Sequence, residues 1–115
     1  MSRAGLGPGE RLKGRDAIQR VMAGGRSVQN RVLVIRYLAS EVGAGRRFAI
    51  GVSRETRGAV RRNLIRRRLR EIWRSSRERL PEDGDFLIIA RSEAFRSSFL
   101  ELSQSFDRLS DALVD

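Results

Sequence analysis

Apolar residues recur along this chain in two rhythms, steps of three and four and steps of two, and each change of rhythm marks a new element. Ala17, Ile18, Val21 and Met22 fall on one side of a short helix that Asp16 can cap and that Gly24 and Gly25 stop. The stretches "NRVLVIRYL" and "RRFAIGVS" then alternate and are rich in β-branched and aromatic residues, so two strands are predicted. The turn-like "SEVGAG" between them predicts that they pair antiparallel. In the second strand Phe48, Ile50 and Val52 share a face, opposite Arg47, Ala49, Gly51 and Ser53; in the first, Leu33, Ile35 and Tyr37 oppose Val32, Val34 and Arg36. One sheet face is therefore apolar, and the other is small enough to admit a ligand or another backbone.

A basic segment follows, then the turn "PEDGD", a third strand "FLIIAR" from Phe86 to Arg91, and a last helix from near Ser98. Ser98 and Glu101 have capping-box spacing. Phe95, Phe99, Leu102, Phe106, Leu109 and Leu113 form one apolar stripe, read as core packing rather than a dimer seam.

With 115 residues the chain makes one domain, over 10–115, behind a flexible lead-in of residues 1–9 that holds three glycines and a proline. A hydrophobic fraction of 40% against 33% charged residues fits a globular protein. Without cysteine there are no disulfides, thiol nucleophiles or thiolate metal sites; without histidine the commonest general base and metal ligand are gone. The start has no signal-peptide core, and no run approaches the roughly 20 apolar residues that span a bilayer, so a cytoplasmic protein without a membrane partner is expected.

Charge changes this picture most. The net charge is +10 with a pI near 11.6, which calls for a polyanionic partner, nucleic acid first. Of 24 basic residues only Lys13 is lysine, a bias that a G+C-rich genome would explain, but their placement needs another cause. Residues 57–79 hold ten arginines against Glu71 and Glu78, while the other 92 residues carry 14 basic and 12 acidic side chains. Laid out at about 100° per residue, Ile65, Leu69, Ile72 and Trp73 cluster on one side of this helix. Asn63, Arg66, Arg67, Arg70 and Arg74 gather on the other, with Arg62 at the border. Unmatched arginines three and four apart repel by a few tenths of a kcal/mol per pair. Phosphates would turn that repulsion into charge-assisted, often bidentate hydrogen bonds. A merely solvated face would mix both signs.

"AVRRNLIRRRLRE" resembles the arginine-asparagine signature helix of the bacterial ribonuclease P protein component family. "RLKGRDAIQRVMAGGRSVQNRVLVIRYL" is similar to that family's opening helix and first strand, "FAIGVSRE" to the strand before its basic helix, and "GDFLIIARSEAFRSSFLEL" to its closing strand and helix. The resemblance covers about residues 11–113. It implies an α+β fold, a two-layer sandwich with a mixed central sheet of about four strands, three helices and a left-handed β-α-β crossover. It also implies a protein subunit that binds the catalytic RNA and the 5′ leader of precursor tRNA while RNA and Mg2+ perform the hydrolysis. No catalytic or metal-binding residue, no cofactor of the protein's own and no obligate protein partner are expected.

The RNA-binding residues it implies are Arg61, Arg62, Asn63, Arg66, Arg67, Arg70 and Arg74, with Glu71 also matching the signature and Leu64 standing where a second arginine is usual. The implied leader cleft draws on Arg11, Lys13, Ile18, Met22, Arg31, Arg36, Phe48, Ser53, Arg54 and Arg91. Ile18, Met22 and Arg36 replace aromatic residues of many members, so apolar contact with Arg36 and Arg91 along the backbone stands in for base stacking.

Other classes leave distinct marks. A stand-alone metal nuclease would need Glu82, Asp83 and Asp85 as ligands, yet "LPEDGD" reads as a solvated turn. A DNA reader using the arginine helix is the alternative function, but that helix is fed by a strand and not by the short helix of a helix-turn-helix. A membrane-surface helix would have to expose Ile65 and Trp73, which have a sheet to cover.

Overall fold

The computed structural model describes residues 10–114, so the lead-in expected over 1–9 lies outside the described residues. The elements are α1 (Arg15–Gly24), β1 (Arg26–Gln29), β2 (Leu33–Ala39), β3 (Arg46–Val52), α2 (Ala59–Ser76), β4 (Gly84–Ala90) and α3 (Phe99–Val114). Two 3-10 turns, Arg77–Arg79 and Ser92–Arg96, flank β4. The four strands form one mixed sheet in the order β1-β2-β4-β3.

That order corrects the expected hairpin. β2 and β3 are not neighbours, because β4 lies between them, antiparallel to β2 and parallel to β3. Burial outweighs adjacency in sequence here: Phe86 and Ile88 face one side of β4 and Leu87 the other, all three are buried, and a strand covered on both faces belongs at the centre. β1 was not foreseen from its residues, since "RSVQ" has one apolar position; it pairs Val28 with Ile35 at the sheet edge. Asn30 makes the turn into β2, its Oδ1 accepting from the backbone N–H of Val32 and Leu33 at 2.9 Å each.

The main core lies where the strand alternation predicts. Leu33, Ile35, Phe48, Val52, Phe86 and Ile88 sit beneath Ile65, Leu69, Ile72 and Trp73 of α2 and Leu102, Phe106, Leu109 and Leu113 of α3. Trp73 is fully buried, stacked on Phe48 at 4.4 Å between centroids and tilted against Phe86 at 5.6 Å. On the opposite face α1 buries Ala17 and Val21 with Leu12 and Leu87, and it leaves Val34, Gly51 and Ile89 half-buried beside it. The result is a trough along one side of the sheet.

One helix start differs from expectation. α1 begins at Arg15 with Gly14 as its N-cap, at φ 91°, and Asp16 sits in the first turn with its charge toward the helix N-terminus instead of capping it. Of the apolar stripe only Phe99 leaves the core, 45% exposed at the first residue of α3; Phe95 sits in the preceding 3-10 turn but still packs against the main core.

The capping box is present, with the Ser98 N–H donating to Glu101 Oε1 at 2.7 Å and the Glu101 N–H to Ser98 Oγ at 3.1 Å. These bonds, the one from the Ser98 backbone first, hold the Glu101 carboxyl below its ordinary pKa of 4.5. A depressed folded value means that this contribution is complete above the ordinary value and disappears as pH falls through the lower folded one. Ser98→Ala is expected to cost about 0.5–2 kcal/mol in urea unfolding at neutral pH. The variant keeps the Ser98 N–H that Glu101 accepts and removes the Oγ that caps the Glu101 N–H, and an unchanged urea midpoint would deny that cap its role.

Candidate nucleic-acid interface

α2 starts at Gly58, whose φ of 93° lets the chain turn out of the loop after β3, and its buried side fixes the azimuth of every arginine. The side chains separate into three groups. Arg62, Arg66 and Arg70, four apart, lie on the flank toward β3. Asn63, Arg67 and Arg74 form the exposed outer ridge. Arg61 and Arg68 lie on the far flank, Arg61 with its guanidinium carbon 4.5 Å from the Phe95 ring centroid and Arg68 donating to the Ser97 carbonyl at 3.4 Å. Leu64 is half-buried.

These groups differ in what they have left to offer. Arg62 is spent on the protein's own backbone: Nη1 donates to the carbonyls of Ser53 and Thr56 at 3.0 and 3.3 Å, and Nη2 to that of Val52 at 3.3 Å. It clasps the loop between β3 and α2. Arg74 pairs with Glu71 at 2.8 Å across an exposed i, i+3 spacing, a weak partnership in water. Asn63, Arg66, Arg67 and Arg70 have no hydrogen bond, ion pair or ring contact among the described residues. Three guanidinium groups, two on the β3 flank and one on the outer ridge, thus stand without a counter-charge.

Sequence reasoning missed the Arg62 clasp because its signal, three converging carbonyls, exists only after folding. A lysine cannot span them. Arg62→Lys is expected to lower stability by about 1–3 kcal/mol, read as a shift of the urea midpoint; an unchanged midpoint would mean that the clasp is idle.

The expected cleft residues divide between places. Arg11 and Lys13 face Arg66 and Arg70 across a cavity of about 260 Å3 floored by Leu12, Phe48, Ala49 and Ile50. The Arg11–Leu12 segment is held there by a bridge to edge strand β3, in which the Leu12 N–H donates to the Phe48 carbonyl at 2.8 Å. Phe48 is 5% exposed under Trp73, so its ring belongs to the core and offers no face for a base. Across the sheet, Ile18 is half-buried under α1 and Met22 is 44% exposed. Arg36 ties the two elements together, its Nη2 donating to the Met22 carbonyl at 2.7 Å.

Ser53, Arg54, Arg31 and Arg91 sit at the end of the sheet, where the Ser53 N–H bonds to the Ala90 carbonyl and Arg91 Nη1 donates to the Asn30 carbonyl at 3.1 Å. Arg31 borders a separate cavity shared with Arg96 and Arg108. Two of the three acids of the nuclease alternative are occupied: Asp85 forms a two-pronged pair with Arg47 at 2.9 and 3.0 Å, and Asp83 Oδ1 accepts from the Gly45 N–H at 2.7 Å.

This arrangement has counterparts among known proteins. The family model described as Ribonuclease P matches residues 6–114. The chain belongs to the ribonuclease P protein family. It is 39% identical over 99 residues to the ribonuclease P protein component of Symbiobacterium thermophilum, covering 86% of each chain. To that of Pelotomaculum thermopropionicum it is 43% identical over 74 residues, 64% of this chain and 65% of the relative. Among solved structures, the ribonuclease P protein of Staphylococcus aureus superposes with a TM-score of 0.78 at 29% identity, over 87% of this chain and 91% of that one. The Thermotoga maritima protein gives 0.75 at 29% identity, over 88% and 96%. The α+β architecture of the ribonuclease P proteins is thus shared along nearly the whole domain.

Proposed function

We infer that this chain is the protein subunit of the ribonuclease P ribonucleoprotein, the endoribonuclease that matures the 5′ end of tRNA, and that it holds the catalytic RNA through α2. The observation that carries the contact surface is the set of Asn63, Arg66, Arg67 and Arg70, spread over the ridge and the β3 flank of a helix anchored by Trp73 and left without partners of its own. The planar guanidinium fork loses less entropy per hydrogen bond than a flexible ammonium would, and displaced counterions supply the free energy. The protein's part in catalysis is positioning and charge neutralisation, while the RNA and its Mg2+ ions carry the hydrolysis. The described residues hold no group of three or more acidic, histidine or cysteine side chains that could bind a metal.

Precursor tRNA is the substrate of the complex, and its 5′ leader runs as a single strand along the trough beside α1. Arg36, Arg54 and Arg91 follow its phosphates, with Met22 and Ile18 supplying apolar contact. Arg11 and Lys13, facing Arg66 and Arg70 across the β3 edge, continue the cationic track toward α2. The work takes place in the cytoplasm, and no helix among the described residues is long and apolar enough to cross a membrane. α2 is fed by β3, which leaves no partner helix for the helix-turn-helix geometry of the DNA-binding alternative.

Affinity of the complex for precursor and for mature tRNA tests the leader track. The protein is expected to tighten precursor binding and leave mature tRNA unchanged. Equal tightening of both would remove the leader from the account.

A further inference from the structure

On the flank of α2 away from β3, a cavity of about 360 Å3 opens between the β3–α2 loop and the 3-10 turn Ser92–Arg96. Its lining sets an aromatic ring among charges of both signs. Arg61 lies over the Phe95 ring at 4.5 Å, a cation–π pair whose guanidinium offers a plane of the kind on which an unstacked base can lie. Thr56, only 6% exposed, lines the cavity, and its hydroxyl has no hydrogen-bond partner among the described residues. Arg57 and Arg96 border the same space, and so do two carboxylates, Glu55 and Glu93.

A phosphate pocket would not be built with two carboxylates, which repel anions. Donor-only guanidinium groups and acceptor-only carboxylates around an aromatic plate instead fit a nucleotide, with its phosphates at the rim and the N–H edge of its base inside. Glu55 is partly engaged, accepting from Ser53 Oγ at 3.5 Å. The Glu93 carboxylate has no partner among the described residues. Guanine alone among the four bases sets two N–H donors side by side on its Watson–Crick edge, the match for the two oxygens of one carboxylate.

We propose that this cavity receives one unstacked guanosine from a single-stranded RNA segment. The base lies on the Arg61–Phe95 pair, Glu93 reads its edge, and Arg57 and Arg96 hold the flanking phosphates. The proposal rests on the RNA-binding function above and adds a base-selective contact to a surface that otherwise meets backbone.

The test is NMR titration of the free protein with GMP, AMP, CMP, UMP and inorganic phosphate at matched ionic strength, following the Thr56 methyl and the Phe95 ring. GMP should shift both and bind about fivefold or more tightly than the other nucleotides. Glu93→Gln, at an exposed position, should erase that preference with the fold unchanged, and Phe95→Ala should abolish binding. Equal shifts with phosphate, a preference that survives in E93Q, or no response at GMP concentrations that move the α2 arginines would overturn it. Stimulation of ribonuclease P RNA is read separately. Wild-type protein that stimulates cleavage yet ignores GMP sinks the pocket alone, whereas GMP binding without stimulation sinks the function proposed above.

Discussion

Alanine at both Arg66 and Arg70 is expected to weaken binding of ribonuclease P RNA on the order of a hundredfold or more, since each side chain removes a charge-assisted contact worth roughly 1.5–3 kcal/mol. The slope of log affinity against log salt should fall by about 1.5, two contacts at roughly 0.7–0.9 each. Neither guanidinium has a hydrogen bond or ion pair within the described protein, so the fold loses no polar contact. Stability should hold or rise by a few tenths of a kcal/mol as like-charge repulsion along α2 is relieved. Filter binding across a salt series and a urea melt on the same variant check both statements. A variant that melts early while its salt slope is unchanged would make these arginines structural.

Trp73→Ala should have the opposite signature. The indole is fully buried, stacked on Phe48 and against Phe86, and its Nε1 donates to Glu10 at 3.3 Å. Removing it leaves a cavity where α2 meets the sheet and is expected to cost about 3–5 kcal/mol. Against a total of roughly 5–15 kcal/mol for a domain, that is enough to leave part of the chain unfolded at physiological temperature. RNA binding then falls because the folded fraction falls, and excess RNA should restore it by mass action. Trp73→Phe, which keeps an aromatic plate, should lose less. Wild-type thermal stability in the alanine variant would mean that α2 is held by something other than its apolar side.

The two variants separate what the sequence made legible from what it did not. Ile65, Leu69, Ile72 and Trp73 are the buried residues of α2, as their spacing requires, because a helix with four large apolar side chains on one side has a single way to lie on a sheet. The Ser98–Glu101 box was equally readable, being local. Strand order was not. Adjacency favoured a β2–β3 hairpin, and only the competition of three apolar strands for the doubly covered centre places β4 between them.

The same limit applies to the site. Helical angle distinguishes the outer ridge from the buried side, but it cannot say which border arginine finds carbonyls and which finds a ring. Arg62 reaches Val52, Ser53 and Thr56 because the β3–α2 loop folds back beneath it, and Arg61 meets Phe95 because the 3-10 turn after β4 arrives on the far flank. Both depend on contacts between residues distant in sequence. The family resemblance supplied the partner RNA and the leader, which no spacing of residues could have named.

Cleavage of precursor tRNA by bacterial ribonuclease P RNA at near-physiological magnesium, with and without this protein, decides whether the chain serves that RNA. Added protein should raise the rate, and the gain should vanish with the Arg66 and Arg70 double alanine variant and fade as salt increases. Unchanged cleavage by a folded, RNA-free preparation of the wild-type chain would contradict the account.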